Sequence, residues 1–214
     1  IRLIGVNFGK LGFLAEVEKD DIVKTLDCLI HDEFTIEKRM LLNGRVVRNG
    51  TIIMENVALN DIVINRSNIM RVMQLKIWIN GMKLGEYSAD GIIVSTPTGS
   101  TAYSMSAGGP IVKPSARLIV MTPICPHTLN TRSIILDAED VIEIQAYSKR
   151  KYDNDIRKVF FDGDENIELE EGDQVMIECS GLETEIIKLR SRSFLEILGK
   201  KMGANEGTET EKNS

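Results

Sequence analysis

Little in these 214 residues invites metal or redox chemistry. There are two histidines, His31 and His127, and three cysteines, Cys28, Cys125 and Cys179, with no C-x-x-C pair among them. A structural zinc needs four ligands and a catalytic zinc three, so no resident metal is expected. Three dispersed thiols read as reduced cysteines of a cytoplasmic protein, not as a disulfide framework. Long apolar runs are missing too. Nothing approaches the roughly 20 residues of a membrane-spanning helix, and Ile1-Arg2-Leu3 opens no signal peptide. Positive charge is in deficit: 26 Lys and Arg face 32 Asp and Glu, a net charge of −6. That balance argues against holding nucleic acid by counterion release. Neither G-x-x-x-x-G-K-[ST] nor G-x-S-x-G occurs, which removes the Walker-A and nucleophile-elbow readings.

What remains is an ordinary globular composition with 43% hydrophobic residues. Its patterning is mostly period two. Leu75-Lys76-Ile77-Trp78-Ile79 alternates, Asn80-Gly81 supplies a type I′ hairpin signal, and residues 83–88 return. Asn43-Gly44 and Asn49-Gly50 read as two more such turns. Further strands are expected at 57–64, 91–96, 117–122, 133–136, 141–147, 158–161, 166–169, 174–179 and 184–189. Many short strands broken by Gly, Asn and Asp predict a mainly β fold, a β-sandwich or irregular β-barrel, over residues 33–190. Ahead of it, Ile1 to Val6 reads as a buried strand, a loop of spaced glycines follows, and residues 20–31 form a helix with Ile22, Leu26, Leu29 and Ile30 on one face. Residues 1–32 therefore read as the tail of an α/β unit. A short helix over 191–202, with Ser193 as its cap, and a disordered tail over 203–214 complete the chain.

Three stretches concentrate polar residues at strand ends. The richest is Asp90-Gly91-Ile92-Ile93-Val94-Ser95-Thr96-Pro97-Thr98-Gly99-Ser100-Thr101-Ala102-Tyr103-Ser104-Met105-Ser106-Ala107-Gly108-Gly109-Pro110. A buried strand ends at Ser95-Thr96, and Thr96-Pro97-Thr98-Gly99 fits a type I turn. Ser100 or Thr101 then caps a helix starting at Ala102. Such a place either holds a phosphate or ribose or is a polar loop capping its own helix. The second stretch, Ala58-Leu59-Asn60-Asp61-Ile62-Val63-Ile64, puts two polar side chains against an apolar strand, as a binding pair or as a turn or bulge. The third, Phe160-Phe161-Asp162-Gly163-Asp164, ends a strand in acids, again as a site or a plain Asp-Gly turn.

Together with residues 5–16 and Thr122-Pro123-Ile124-Cys125-Pro126-His127-Thr128-Leu129, these stretches resemble the NAD kinase family. The resemblance implies phosphoryl transfer from ATP, or from polyphosphate, to the adenosine ribose 2′-hydroxyl of NAD, giving NADP, with Mg2+ accompanying the donor. It also implies an N-terminal α/β domain, a C-terminal β-domain and assembly as a dimer or tetramer. By position, Asn60 and Asp61 match the pair that contacts the dinucleotide and its ribose hydroxyls, and Asp90 an aspartate near the nicotinamide end. Thr101, Ala102, Tyr103 and Ser106 match adenine and ribose contacts, some of them reaching across a subunit interface. Thr98, Ser104 and Met105 share that loop. Arg71, Ser88, Cys125 and Asp164 match outer contact positions, Asp164 standing where many members carry Gln. The family's Gly-Gly-Asp-Gly segment, which supplies the general-base Asp, does not occur in these residues and is expected upstream of Ile1. The chain is then expected to carry the dinucleotide-binding part without the catalytic Asp, and to be inactive alone. Two other readings stand beside this one: a non-catalytic nucleotide-binding β-domain, and a lipid kinase sharing the Gly-Gly-Asp-Gly theme.

Overall fold

Alternation of apolar and polar residues writes two sheets into the chain. A computed structural model describes residues 1–8, 12–15, 17–66, 72–128, 131–147, 156–189 and 194–203. In chain order its strands are β1 (Arg2–Leu3), β2 (Val6–Asn7), β3 (Val17–Glu18), β4 (Thr35–Arg48), β5 (Thr51–Ala58), β6 (Asp61–Arg66), β7 (Met73–Ile79), β8 (Met82–Ala89), β9 (Gly91–Ser95), β10 (Leu118–Ile124), β11 (Ile134–Asp137), β12 (Ile142–Tyr147), β13 (Arg157–Phe161), β14 (Glu165–Leu169) and β15 (Gln174–Lys188). The helices are α1 (Ile22–Ile30), α2 (Tyr103–Ser106) and α3 (Phe194–Gly203). The chain divides into two units, Ile1–Lys38 with Glu185–Ser214, and Arg39–Thr184.

In the Arg39–Thr184 unit one sheet has the order β5-β4-β15-β12-β7-β8 and the other β11-β10-β9-β6-β13-β14. Neither order returns to its first strand, so this is a sandwich of two open sheets and not a barrel. One face of each sheet meets the other in a single apolar core. Leu42, Leu75, Ile77, Ile144 and Ile177 come from the first sheet, Ile62, Ile64, Ile92, Val94 and Val159 from the second.

Two of the three Asn-Gly pairs make the expected turns. Asn49-Gly50 and Asn80-Gly81 have φ values of 51° and 78°, and 51° and 77°, the left-handed pairs of a type I′ hairpin. Asn43-Gly44 does not turn; it lies inside β4. There the glycine serves packing, because a Cβ on Gly44 would sit 2.6 Å from Phe161 Cε1 and 2.7 Å from Ile62 Cδ1. The run expected over 57–64 is broken at Leu59-Asn60, between β5 and β6. The strands expected at 174–179 and 184–189 are one, β15.

In the other unit, β1 pairs in parallel with Glu185 and Ile186, and β2 with β3. The opening strand is not buried: Leu3 is 46% exposed. Helix α1 forms as expected, but its inward side centres on Thr25, while Leu26 and Ile30 face outward. At 100° per residue, Ile22, Thr25 and Leu29 share one stripe and Leu26 and Ile30 fall at its edge. The Phe13 and Phe194 rings lie 5.9 Å apart, with the Lys201 ammonium 4.3 Å from the Phe13 ring centre. Ser193 and the tail from residue 204 lie outside the described residues, as do Arg71 and Leu129.

Candidate functional site: a cleft over the outer face of the second sheet

Period two assigns each residue of β6 to a face. Ile62 and Ile64 point into the core, so Asp61, Val63 and Asn65 point to the other side. Register pairs Val63 with Phe160 and Ile93, and Asp61 with Ser95, which brings Phe160 onto the same outer face. After β9 the chain turns back, and α2 packs against that strand. Between them lies a cleft of about 330 Å³, lined by Asn60, Asp61, Val63, Asn65, Ala102, Tyr103, Phe160, Asp162 and Gly163. Its floor is apolar and aromatic, and its polar groups gather at one end. That is the usual make-up of a small-molecule site.

The polar end is a turn held from two sides. Asp162 Oδ1 accepts the backbone N–H of Asn60 at 2.7 Å and of Asp61 at 3.1 Å, and Oδ2 that of Leu59 at 2.8 Å. From the opposite side, the Thr96 hydroxyl donates to the Leu59 carbonyl at 2.6 Å and the Thr96 N–H to the Asn60 carbonyl at 2.9 Å. Gly99 lies against the same peptide, so closely that a Cβ would stand 2.0 Å from the Asn60 oxygen.

Asp61 is 5% exposed. Burial, and after it the Asp162 charge, push its carboxyl up to about 6. It can therefore hold or release a proton near neutral pH, accepting hydrogen bonds when ionised and also donating one when protonated.

The hydroxyls of the following loop largely bind the loop itself. Ser100 Oγ donates to the Pro97 carbonyl at 2.7 Å and accepts the Val112 N–H at 3.0 Å, and Thr101 Oγ1 donates to the Thr98 carbonyl at 3.2 Å. Neither caps a helix. Residues Gly99–Thr101 form a 3-10 turn, Ala102 occupies the cap position, and α2 is a single turn. Ser104 Oγ is buried 3.1 Å from Thr122 Oγ1, and the buried Arg39 guanidinium donates to Thr98 Oγ1 at 3.5 Å. Tyr103, 44% exposed, and Met105 face outward, and Ser106 is exposed.

The residues singled out in the sequence thus fall into two groups. Asn60, Asp61, Ala102 and Tyr103 meet at the cleft, with Thr98, Thr101, Ser104, Met105 and Ser106 on the loop that builds its wall. Ser88, Asp90 and Cys125 gather at the opposite end of β6 and β9, about 17 Å away at strand rise. There Arg66 donates to Asp90 Oδ1 at 2.5 Å and His127 Nε2 stands 3.9 Å from it. His127 also donates its N–H to the Ser88 carbonyl at 2.8 Å, and the Ser88 hydroxyl binds Gln74 Oε1 at 2.9 Å. Asp164 is exposed beyond the cleft lining, its N–H donating to the Phe161 carbonyl at 3.2 Å. Of the other lining residues, Asn65 was not singled out in the sequence, Val63 stood only within the second polar stretch, and Phe160, Asp162 and Gly163 stood only within the third, read as a site or a plain turn and not assigned to the dinucleotide. The clearest signal among them was the Asp162-Gly163 pair after a strand.

The family model described as the ATP-NAD kinase C-terminal domain matches residues 59–189. An NAD kinase of Agathobacter rectalis is 47% identical over 203 residues, covering 95% of this chain and 71% of its own length. One from Acetivibrio thermocellus is 44% identical over 196 residues, covering 92% and 67%. Yeast NADH kinase, solved in complex with NADH, superposes with a TM-score of 0.90 at 28% identity, over 98% of this chain and 62% of the yeast chain. An NAD kinase from Archaeoglobus fulgidus, solved with ATP, gives a TM-score of 0.73 at 24% identity and shares the fold.

Proposed function

The chain belongs to the NAD kinase family, and from that premise we propose that its cleft holds the acceptor dinucleotide of a transferase that phosphorylates the adenosine ribose 2′-hydroxyl of NAD. The single observation that carries this reading is the meeting of Asn60, Asp61, Ala102 and Tyr103 around one cleft. These residues come from two stretches about 40 positions apart in sequence, and the family resemblance assigns both to the dinucleotide.

The chemistry of the lining supports it. A carboxylate and an amide at one end suit the vicinal hydroxyls of a ribose, and Tyr103, Phe160 and Val63 offer an apolar wall to a base. No cluster of cations is needed for such a ligand, in keeping with a net charge of −6. Because phosphoryl transfer asks the protein chiefly to position its reactants, these side chains bind and orient the acceptor. The donor is ATP or polyphosphate. Mg2+ would enter with the donor, whose phosphates supply ligands; Asp61 and Asp162 are only two carboxylates, and Asp162 already accepts three N–H groups. The family resemblance gives the general base to the Asp of the Gly-Gly-Asp-Gly segment, and this chain spans 71% of the Agathobacter relative and 62% of the yeast chain.

Asp90, with Arg66 and His127, stands too far along the strands to share one end of a ligand with Asp61. The reading therefore gives Asp90 to a dinucleotide held by a second copy, in a dimer or tetramer. Reduced thiols at Cys28, Cys125 and Cys179 fit the cytoplasm, and no described helix is long and apolar enough to cross a membrane.

The test is product identity. The full-length protein with ATP, Mg2+ and NAD is expected to form NADP bearing phosphate on the adenosine 2′-oxygen, and to leave a long-chain lipid alcohol untouched. Binding of NAD without any NADP would instead establish a non-catalytic nucleotide-binding domain.

A further inference from the structure

The geometry points to Asp162 as a positioning residue, which fixes the Leu59-Asn60-Asp61 turn in its ligand-ready shape and acts on the acceptor dinucleotide through that turn. This rests on the cleft being the dinucleotide site. Its ground is local: one carboxylate takes three successive backbone N–H donors, at 2.8, 2.7 and 3.1 Å. Charge-assisted bonds of this kind are the strong ones.

Leu59 and Asn60 lie in the break between β5 and β6, and Asp61 opens β6. Without the carboxylate, the Asn60 and Asp61 side chains would lose their fixed direction. The contact is also reciprocal, since the Asp162 N–H donates to the Asp61 carbonyl at 3.0 Å. Asp162 itself has a φ of 50°, in the left-handed region, where Asp and Asn are among the residues best tolerated. That conformation lets the chain leave β13 and still aim the carboxylate back at residues more than a hundred positions earlier.

The arrangement has an electrostatic consequence. Of the residues lining the cleft, Asp61, Asp162 and Tyr103 are the titratable ones. The Asp162 charge helps raise the Asp61 carboxyl. Removing that charge lowers it, so the pH at which Asp61 ionises reports on Asp162 from inside the cleft.

Asp162→Asn is the variant of choice, because Asn also accepts a positive φ and leaves the backbone undisturbed. It replaces one acceptor oxygen by an NH2 group that faces N–H donors. In the full-length protein, hydrogen exchange at Leu59, Asn60 and Asp61 is expected to quicken at least tenfold. The dissociation constant for NAD is expected to rise at least tenfold, with that for ATP unchanged, and the pH midpoint of NAD binding to move down. Unchanged exchange in a cooperatively folded variant would overturn the proposal, as would faster exchange with unaltered NAD affinity and midpoint. If wild type itself does not bind NAD, the functional reading fails, while the exchange measurement still decides whether Asp162 holds the turn.

Discussion

Asp61→Asn is expected to stabilise the protein by about 2–3 kcal/mol at pH 7.5 while removing most of its affinity for NAD. The first effect follows from burial. A free aspartate ionises near 3.9, whereas burial and the Asp162 charge push Asp61 up to about 6. Folding therefore favours the protonated acid. The stabilisation this gives is fully present below about pH 4 and is lost as the pH rises through 6. Above that, the folded protein carries an ionised carboxylate in a place that resists it. An amide at the same position has no such pH dependence. Unfolding free energies of the two proteins, measured from pH 4 to 8, should converge at the acid end and separate toward pH 8. Parallel curves would show that Asp61 is not buried as described.

The second effect makes sense of the first. A group that weakens the fold near neutral pH is retained where it serves a ligand. On the proposed reading the Asp61 carboxylate accepts ribose hydroxyls and would contribute about 1.5–3 kcal/mol to binding, as charged hydrogen bonds do. Its loss should raise the NAD dissociation constant by roughly 10- to 150-fold.

Gly99→Ala should be the most damaging single methyl group in the cleft wall. The added Cβ would lie 2.0 Å from the Asn60 carbonyl oxygen and 2.4 Å from the carbonyl carbon. Both are backbone atoms of the turn that Asp162 and Thr96 hold, so neither can swing aside as a side-chain end would. A cost of about 3 kcal/mol, at the upper end of ordinary overpacking, is expected. The turn must shift, so NAD affinity falls with it, by at least tenfold. Gly108→Ala is the matched control. Gly108 has a φ of 86° but nothing within 4 Å of its virtual Cβ, so it should lose about 1–2 kcal/mol through backbone strain alone and keep its affinity. Equal losses of affinity in the two variants would mean that loop strain, and not pressure on Asn60, governs the site.

How far the sequence could be read is clear from particular residues. Asn49-Gly50 and Asn80-Gly81 carry their turns in their own chemistry, since both positions need a left-handed backbone. Asn43-Gly44 has the same letters, but its glycine answers to Phe161 and Ile62, which only the folded sandwich brings near. The same limit applies at the site. Asn60-Asp61 was legible as a polar break at a strand end, whereas Ala102 and Tyr103 were named as contacts only through the family resemblance. Val63 and Phe160 look like any strand residues until register puts them on the outer face. Ser100 and Thr101 have the chemistry of helix caps and use it on the loop's own carbonyls instead. Asp162 stood in a recognised Asp-Gly pair, yet its partners lie about a hundred residues earlier, a distance at which one sequence gives no pairing information.

The claim on which the rest depends is that the cleft between β6, β13 and the loop around α2 is where the dinucleotide sits. Hydrogen–deuterium exchange of the full-length protein, with and without saturating NAD, tests it directly. Slower exchange is expected in peptides covering residues 57–63, 96–106 and 159–164, which together build the cleft. If NAD binds and these three peptides exchange as before, with protection confined to residues 86–91 and 123–128 around Asp90 and His127, the dinucleotide lies elsewhere and the account is contradicted.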